Sequence, residues 1–193
     1  MNQRLRLKLI ITDFDGTLVD SFRANLKAYQ VAFASQGLEL KEEDYRRCFG
    51  LRFERFMQEM HIYDQEVKYK IRMQKGDSYP RFFDRLKINK VLLSFIRSFK
   101  ASGGKTAIAS TARKKNLMNA LEYIGASEDF DLIIAGEDVK NGKPSPEIYN
   151  TVLEKMNVKA DEAIVFEDSQ VGFESAEAAG ISYIKVDSSF YGD

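Results

Sequence analysis

The residues best suited to chemistry in this sequence are acids, hydroxyls and one lysine gathered near the ends of short apolar runs. Asp13 and Asp15 sit two positions apart in Asp13-Phe14-Asp15-Gly16-Thr17, just beyond the run that ends at Ile11. At a strand end that spacing puts both side chains on one face. Glu167 and Asp168 follow a second run, Ser110 and Thr111 a third, and Lys143 lies between them in sequence. Carboxylates sharing a crevice repel by about 4 kcal/mol per pair at about 4 Å and an effective dielectric of about 20, so they need a cation or a shared proton. Magnesium suits them, being a hard ion that takes oxygen ligands and is completed by a substrate phosphate. Softer metals want cysteine and histidine, and the chain has one of each, Cys48 and His61. Ser110 and Thr111 stand where a strand gives way to a helix, and free backbone N–H groups and the helix dipole there favour phosphate. Lys143 adds a fixed positive charge. Any of these acids taken alone reads equally well as a helix cap or turn residue. All four groups at strand ends together point to chemistry.

Bringing them together requires strands that end at one edge. Five short apolar runs, Leu7 to Ile11, Lys105 to Ala109, Leu132 to Ile134, Ala163 to Phe166 and Tyr183 to Val186, each lead into polar residues. Helical stripes separate them. Val91, Leu92, Phe95, Ile96 and Phe99 make one, and Leu117, Met118, Leu121 and Ile124 make another that Gly125 is placed to end. Ser145 as N-cap and Pro146 in the first turn introduce a third, with Ile148, Tyr149, Val152, Leu153 and Met156. A shorter helix begins near Ser169 or Gln170 and stops at Gly180. This alternation predicts an α/β fold, a doubly wound parallel sheet with a Rossmann-like core and a ligand crevice outside the carboxyl ends of the strands.

Between the first strand's tail and the helix near Ile88 lie 68 residues, 20–87, far more than a crossover of about 10–15. Phe22, Leu26, Tyr29 and Phe33 form one stripe there, and Phe53, Phe56, Met57 and Met60 another. The predicted organisation is a core of 1–19 and 88–193 with a helical cap, 20–87, inserted over the crevice.

Composition limits the alternatives. The 193 residues are 44% hydrophobic and 30% charged, enough for a soluble core. Lys+Arg and Asp+Glu both number 29, giving no net charge, which argues against a nucleic-acid or membrane binder driven by bulk positive charge. One cysteine forbids an internal disulfide and every multi-cysteine zinc site. The start, Met1-Asn2-Gln3-Arg4 then Leu5-Arg6-Leu7-Lys8, is too interrupted by charge for a signal-peptide core, and no apolar run approaches the ~18 residues of a spanning helix. The expectation is a cytoplasmic monomer with no nucleic-acid or membrane partner.

The ordered motifs resemble those of the haloacid dehalogenase-like hydrolases, in the branch of phosphoglycolate phosphatases and beta-phosphoglucomutases with a helical cap inserted after the first motif. The resemblance spans the whole chain. It rests on Asp13-Phe14-Asp15-Gly16-Thr17-Leu18-Val19-Asp20-Ser21, on Ser110, on Lys143-Pro144-Ser145-Pro146, and on Glu167-Asp168-Ser169 with Gly172. It implies a magnesium-dependent phosphatase acting on a small phosphorylated metabolite through an aspartyl phosphate. Asp13 is then the nucleophile and Asp15 the general acid and base. Asp13, Asp168 and the Asp15 backbone carbonyl would hold Mg2+, while Ser110, Thr111 and Lys143 would hold the phosphoryl oxygens. Glu167 and Thr17 would act in support, with Gly16 and Thr17 shaping the turn that aims Asp15.

Arg52 lies in a cap segment that faces substrate in related enzymes and is placed to select a second charged group, with a solvated helix arginine as the equal alternative. Sugar phosphomutases of this branch tend to carry a histidine where this chain has Asn25, which counts against mutase activity. His61 and Cys48 read as structural, and Arg113-Lys114-Lys115 as a solvated face near the phosphate site. The rival functions are a phosphomutase of the same fold and, in a different class, a phosphoacceptor signalling domain. Asp15 argues against a metal-free dehalogenase.

Overall fold

The computed structural model describes residues 7–191; the reading of Met1 to Arg6 lies outside it. Its centre is a five-stranded parallel sheet ordered β5-β4-β1-β6-β7, with β1 Leu9–Thr12, β4 Lys105–Ala109, β5 Leu132–Ile134, β6 Ala163–Glu167 and β7 Ser182–Lys185. All five predicted runs are strands, each within two residues of its expected bounds. Strand β1 is central, with Leu9 opposite both Lys105 and Ala163, and all four of its residues are buried. Burial on both faces explains why these strands read as unbroken apolar runs rather than alternating ones.

Ile10 joins one apolar layer with Leu93 and Ile96 of α5 (Lys90–Ala101) and Leu117 and Leu121 of α6 (Lys114–Tyr123). Leu9 and Ile11 point the other way, onto Ile148, Tyr149 and Val152 of α7 (Glu147–Met156) and Ala176 of α8 (Gln170–Ala178). Helices therefore cover both faces. Truncating Ile10 to alanine removes a wholly buried side chain, a change that costs about 2–5 kcal/mol in well-packed cores.

Three local expectations shift. On α5 the buried stripe runs through Leu92, Leu93 and Ile96, leaving Val91 and Phe95 exposed, and Met118 of α6 is exposed as well. Helix α7 starts at Glu147, one residue after Pro146, though the Ser145 hydroxyl does accept the Glu147 N–H. The third concerns two short strands that carry no sequence signal, β2 (Val19–Asp20) and β3 (Lys87–Ile88). They pair antiparallel, Val19 with Ile88 and Asp20 with Lys87.

The segment between that ribbon's two strands is helical: α1 Phe22–Ala34, α2 Glu42–Cys48, α3 Phe53–Glu59 and α4 Gln65–Ser78. It has an apolar cluster of its own, including Leu26, Phe33, Tyr45, Phe56, Met57 and Ile71. Both predicted stripes lie in or against this cluster, as does buried Cys48. His61 is exposed in the turn after α3, with a φ of 56°. Among the described residues no helix is long and apolar enough to cross a membrane.

Candidate active site

Because β1, β4 and β6 are parallel neighbours, the residues that follow them emerge at one edge of the sheet. Asp13 continues the ladder, its N–H donating to the Phe166 carbonyl at 3.0 Å, and its carboxylate turns into a buried ionic knot. The Lys143 ammonium, from the β5–α7 connection, donates to Asp13 Oδ1 and Glu167 Oε2, both at 2.7 Å. Lys143, Asp13 and Glu167 are almost wholly removed from solvent. Glu167 also accepts from the Tyr149 hydroxyl at 2.9 Å and the Ser169 hydroxyl at 2.7 Å. A Cβ on Gly172 would collide with the Glu167 carboxylate, so glycine is what lets α8 approach it.

The charges do not balance. Oxygens of Asp13, Glu167 and Asp168 lie within 4.8 Å of one another, three carboxylates against one ammonium. Burial pulls the Lys143 amine toward neutrality, but the facing Asp13 and Glu167 charges outweigh it and hold the ammonium firmly protonated. Burial would also raise Glu167, yet Lys143 and the hydroxyl donors bring it below the usual carboxylate value. Asp13 has only Lys143 to offset its burial and the repulsion of Glu167 and Asp168, so its carboxyl is pushed well up. Asp168 is pushed up to about 6, by burial and by Glu167, against a 2.7 Å hydrogen bond from Thr17. With all three acids ionised, three negative charges minus one positive leave two, and the donors are all hard oxygens, so a divalent cation such as magnesium fits and would keep them ionised.

Asp13 and Asp15 do not share partners. Strand β1 ends at Thr12, and the chain then turns through Gly16, whose φ of +92° and clearance from Asp168 no other residue type meets without strain. The strand period invoked from sequence therefore stops before Asp15. Its Oδ1 accepts from the Ser21 hydroxyl and from Asn25 Nδ2, the latter at 3.0 Å, and among the described residues no donor is bonded to Oδ2. Asn25 also contacts Ser21 at 3.0 Å and the Tyr79 hydroxyl at 3.5 Å. Ser110 is buried at the end of β4 and accepts the Ala112 N–H at 3.1 Å.

Thr111 lines a cleft between the sheet edge and the inserted helices, together with Asp15, Asn25, Tyr29, Lys75 and Arg113. Arg52 does not line it. Its guanidinium donates to the carbonyls of Gly136, Val139 and Lys140, and its aliphatic stem covers Gly142, beside Lys143. The inserted segment's cations that line the Asp15 cleft are Arg72 and Lys75, while Arg52 lines an adjoining cleft with Thr111. Lys114 and Lys115 are exposed, as a solvated face requires, and Arg113 and Lys114 make surface ion pairs with Glu137 and Asp138. Sequence reasoning passed over Ser21, Tyr149 and Lys75. Lys75 sits four residues after buried Ile71, and that spacing was the available signal that it faces inward.

Residues 10–186 match the family profile described as haloacid dehalogenase-like hydrolase. The chain is 32% identical over 182 residues to the phosphorylated carbohydrates phosphatase of Thermotoga maritima, covering 92% of this chain and 84% of the relative. It is also similar to the structure of CbbY from Rhodobacter sphaeroides in complex with phosphate, with a TM-score of 0.84, 26% identity, and 96% and 88% of the two chains covered. A mutant of that protein in complex with xylulose-(1,5)bisphosphate gives a TM-score of 0.83 at 25% identity, over 96% and 88%. The chain belongs to the haloacid dehalogenase-like hydrolases.

Proposed function

We propose that this hydrolase is a magnesium-dependent phosphatase that removes phosphate from a small phosphorylated carbohydrate through a phosphoryl-aspartate on Asp13. The observation that carries the reading is the knot in which one buried lysine is shared by two acids with Asp168 alongside. The name of the Thermotoga maritima relative and the sugar bisphosphate bound to the CbbY mutant support the carbohydrate class.

Magnesium held by the Asp13 and Asp168 carboxylates and the Asp15 backbone carbonyl would draw charge from the phosphoryl oxygens. Asp13 attacks phosphorus in line, so that a bond forms from phosphorus to its carboxylate oxygen while the ester P–O bond breaks. Asp15 gives its proton to the departing oxygen through Oδ2. It then takes a proton from the water that attacks phosphorus and releases Asp13. Ser110, Thr111 and Lys143 hold the phosphoryl oxygens as charge builds on them, and Glu167 and Thr17 orient Lys143 and Asp168. Residues 20–87 act as a cap hinged at the β2–β3 ribbon, and closure excludes bulk water. Arg52 ties that cap to the loop leading into Lys143. The enzyme acts as a cytoplasmic monomer.

A phosphomutase would need bound sugar to outcompete water at the phosphoryl-aspartate. Asn25 bonded to Asp15, where mutases of the branch tend to carry histidine, favours hydrolysis. The test is phosphate release from a panel of small phosphomonoesters with magnesium and with excess chelator. Release that depends on magnesium supports the proposal, and undiminished turnover without any divalent ion contradicts it.

A further inference from the structure

The wall that α6 contributes to the Asp15 cleft carries a polar group that the proposed reaction leaves unused. Asn116, in the first turn of α6, lines the cleft and is only 6% exposed. Among the described residues nothing is hydrogen-bonded to its amide. Asn25, the other amide lining the cleft, is by contrast bonded to Asp15, Ser21 and Tyr79. Helix α4 passes close to Asn116 without offering it a side chain, because it does so at Gly76, where a Cβ would stand 3.6 Å from Asn116 Oδ1.

Packing does not account for an asparagine at this place. Leu117, Ala120 and Leu121 of the same helix are buried with it, so an apolar side chain would serve, and leucine is the better helix former. A buried amide without a partner is costly, and the cost is recovered when a partner arrives.

The amide's chemistry narrows that partner. It offers donors and an acceptor together and carries no charge. A carboxylate or phosphate would use the N–H groups but set negative oxygen against Oδ1, and an ammonium would do the reverse. A hydroxyl both donates and accepts, so it satisfies the side chain without importing charge. The cleft encloses about 90 Å³, room for about three water molecules at the ~30 Å³ each occupies in the liquid, which suits a short polyol arm.

We infer that Asn116 is a substrate-binding residue that reads a hydroxyl of the leaving group, so that the preferred ester is a phosphorylated polyol or sugar with a hydroxyl directed at α6. The inference rests on the phosphatase reading and deepens it, placing part of the selection on a helix packed against the sheet rather than on the inserted segment.

The experiment compares glycerol phosphate, the two propyl phosphates that each lack one of its hydroxyls, and propyl phosphate itself, on wild type and on Asn116→Leu. Wild type should favour glycerol phosphate over propyl phosphate, and the two intermediate esters tell which hydroxyl is read. Asn116→Leu should cut that preference about tenfold by raising KM for glycerol phosphate, while propyl phosphate stays within about threefold of wild type. Its melting temperature should stay level or rise, because an unpaired buried amide is removed. Asn116→Ala, which adds no branched side chain, should give the same pattern. A wild type indifferent to hydroxyls, an unchanged preference in both variants, or equal losses on all four esters overturns the inference. Calorimetric binding of the esters to Asp13→Asn, with and without Asn116→Leu, reads the preference without turnover. If no ester is hydrolysed yet Asp13→Asn binds glycerol phosphate the more tightly and Asn116→Leu abolishes the difference, the phosphatase reading fails and the hydroxyl site stands. If an aryl phosphate is hydrolysed with magnesium and neither measurement shows a preference, the hydroxyl site fails and the phosphatase reading stands.

Discussion

The sheet edge and the inserted helices face one another across the crevice, yet they are built on opposite electrostatic plans. At the sheet edge Lys143 is held between two acids, and Glu167 is bonded by Lys143, Tyr149 and Ser169 together. Across the crevice Lys75 lies over the Tyr79 and Tyr29 rings with the Asp15 charge acting on it and, among the described residues, no acceptor bonded to it. A closed knot suits groups that must keep one geometry through every turnover. The two regions meet around Asp15 and again where Arg52 bonds the carbonyls of Gly136, Val139 and Lys140.

The comparison breaks most visibly at Lys143. Lys143→Met leaves Asp13 and Glu167 buried without their shared cation, a loss that typically costs about 3–5 kcal/mol. Urea unfolding at neutral pH should register it, whereas Lys75→Met should not be destabilised at all. If the two variants lose equal stability, the division between a closed and an open region is wrong.

A smaller effect comes from Asp168. Its pKa rises from 3.8 to about 6 on folding, so protons favour the folded state. The stability this shift provides is complete below about pH 4 and is lost as pH rises through 6, a change of about 3 kcal/mol in metal-free protein. Asp13 shifts in the same direction. Magnesium should therefore raise the melting temperature little at pH 5 and increasingly above pH 6. A gain independent of pH would mean that the cation does not bind at these carboxylates.

The smallest expected effect is at Arg52. Its bonds to three backbone carbonyls join the two regions at the exposed rim, and Arg52→Ala should lower stability by about 1 kcal/mol. It should leave KM for the preferred ester nearly unchanged, because the guanidinium is spent on backbone carbonyls. A rise in KM for that ester, with a small aryl phosphate unaffected, would make Arg52 a substrate contact.

How much of this was legible in the sequence follows the same division. The strands are short apolar runs because both sheet faces are covered, and β1, β4 and β6 end in residues that meet at the crevice. Asp13, Ser110, Lys143, Glu167 and Asp168 could be found from that rule and from their motifs. Tyr149 was hidden because it reads as one more member of an apolar stripe, although its hydroxyl reaches Glu167. The direction of Asp15 could not be fixed by strand periodicity, because it lies past Thr12 in a glycine turn. Helix α4 left little apolar pattern, with Ile71 its only buried large aliphatic side chain, so the spacing from Ile71 was the sole mark on Lys75. Ribbon strands of two residues are shorter than any periodicity can register.

The central claim is that Asp13 accepts the phosphoryl group. It is tested most directly by rapid acid quench of the enzyme during turnover of its best ester, followed by peptide mass spectrometry. The account predicts a phosphoryl adduct on the peptide containing Asp13, assigned to that aspartate, present in wild type and absent from Asp13→Asn, whose turnover falls by about 10⁴-fold or more. An adduct on any other residue, or undiminished phosphate release by Asp13→Asn, would contradict it.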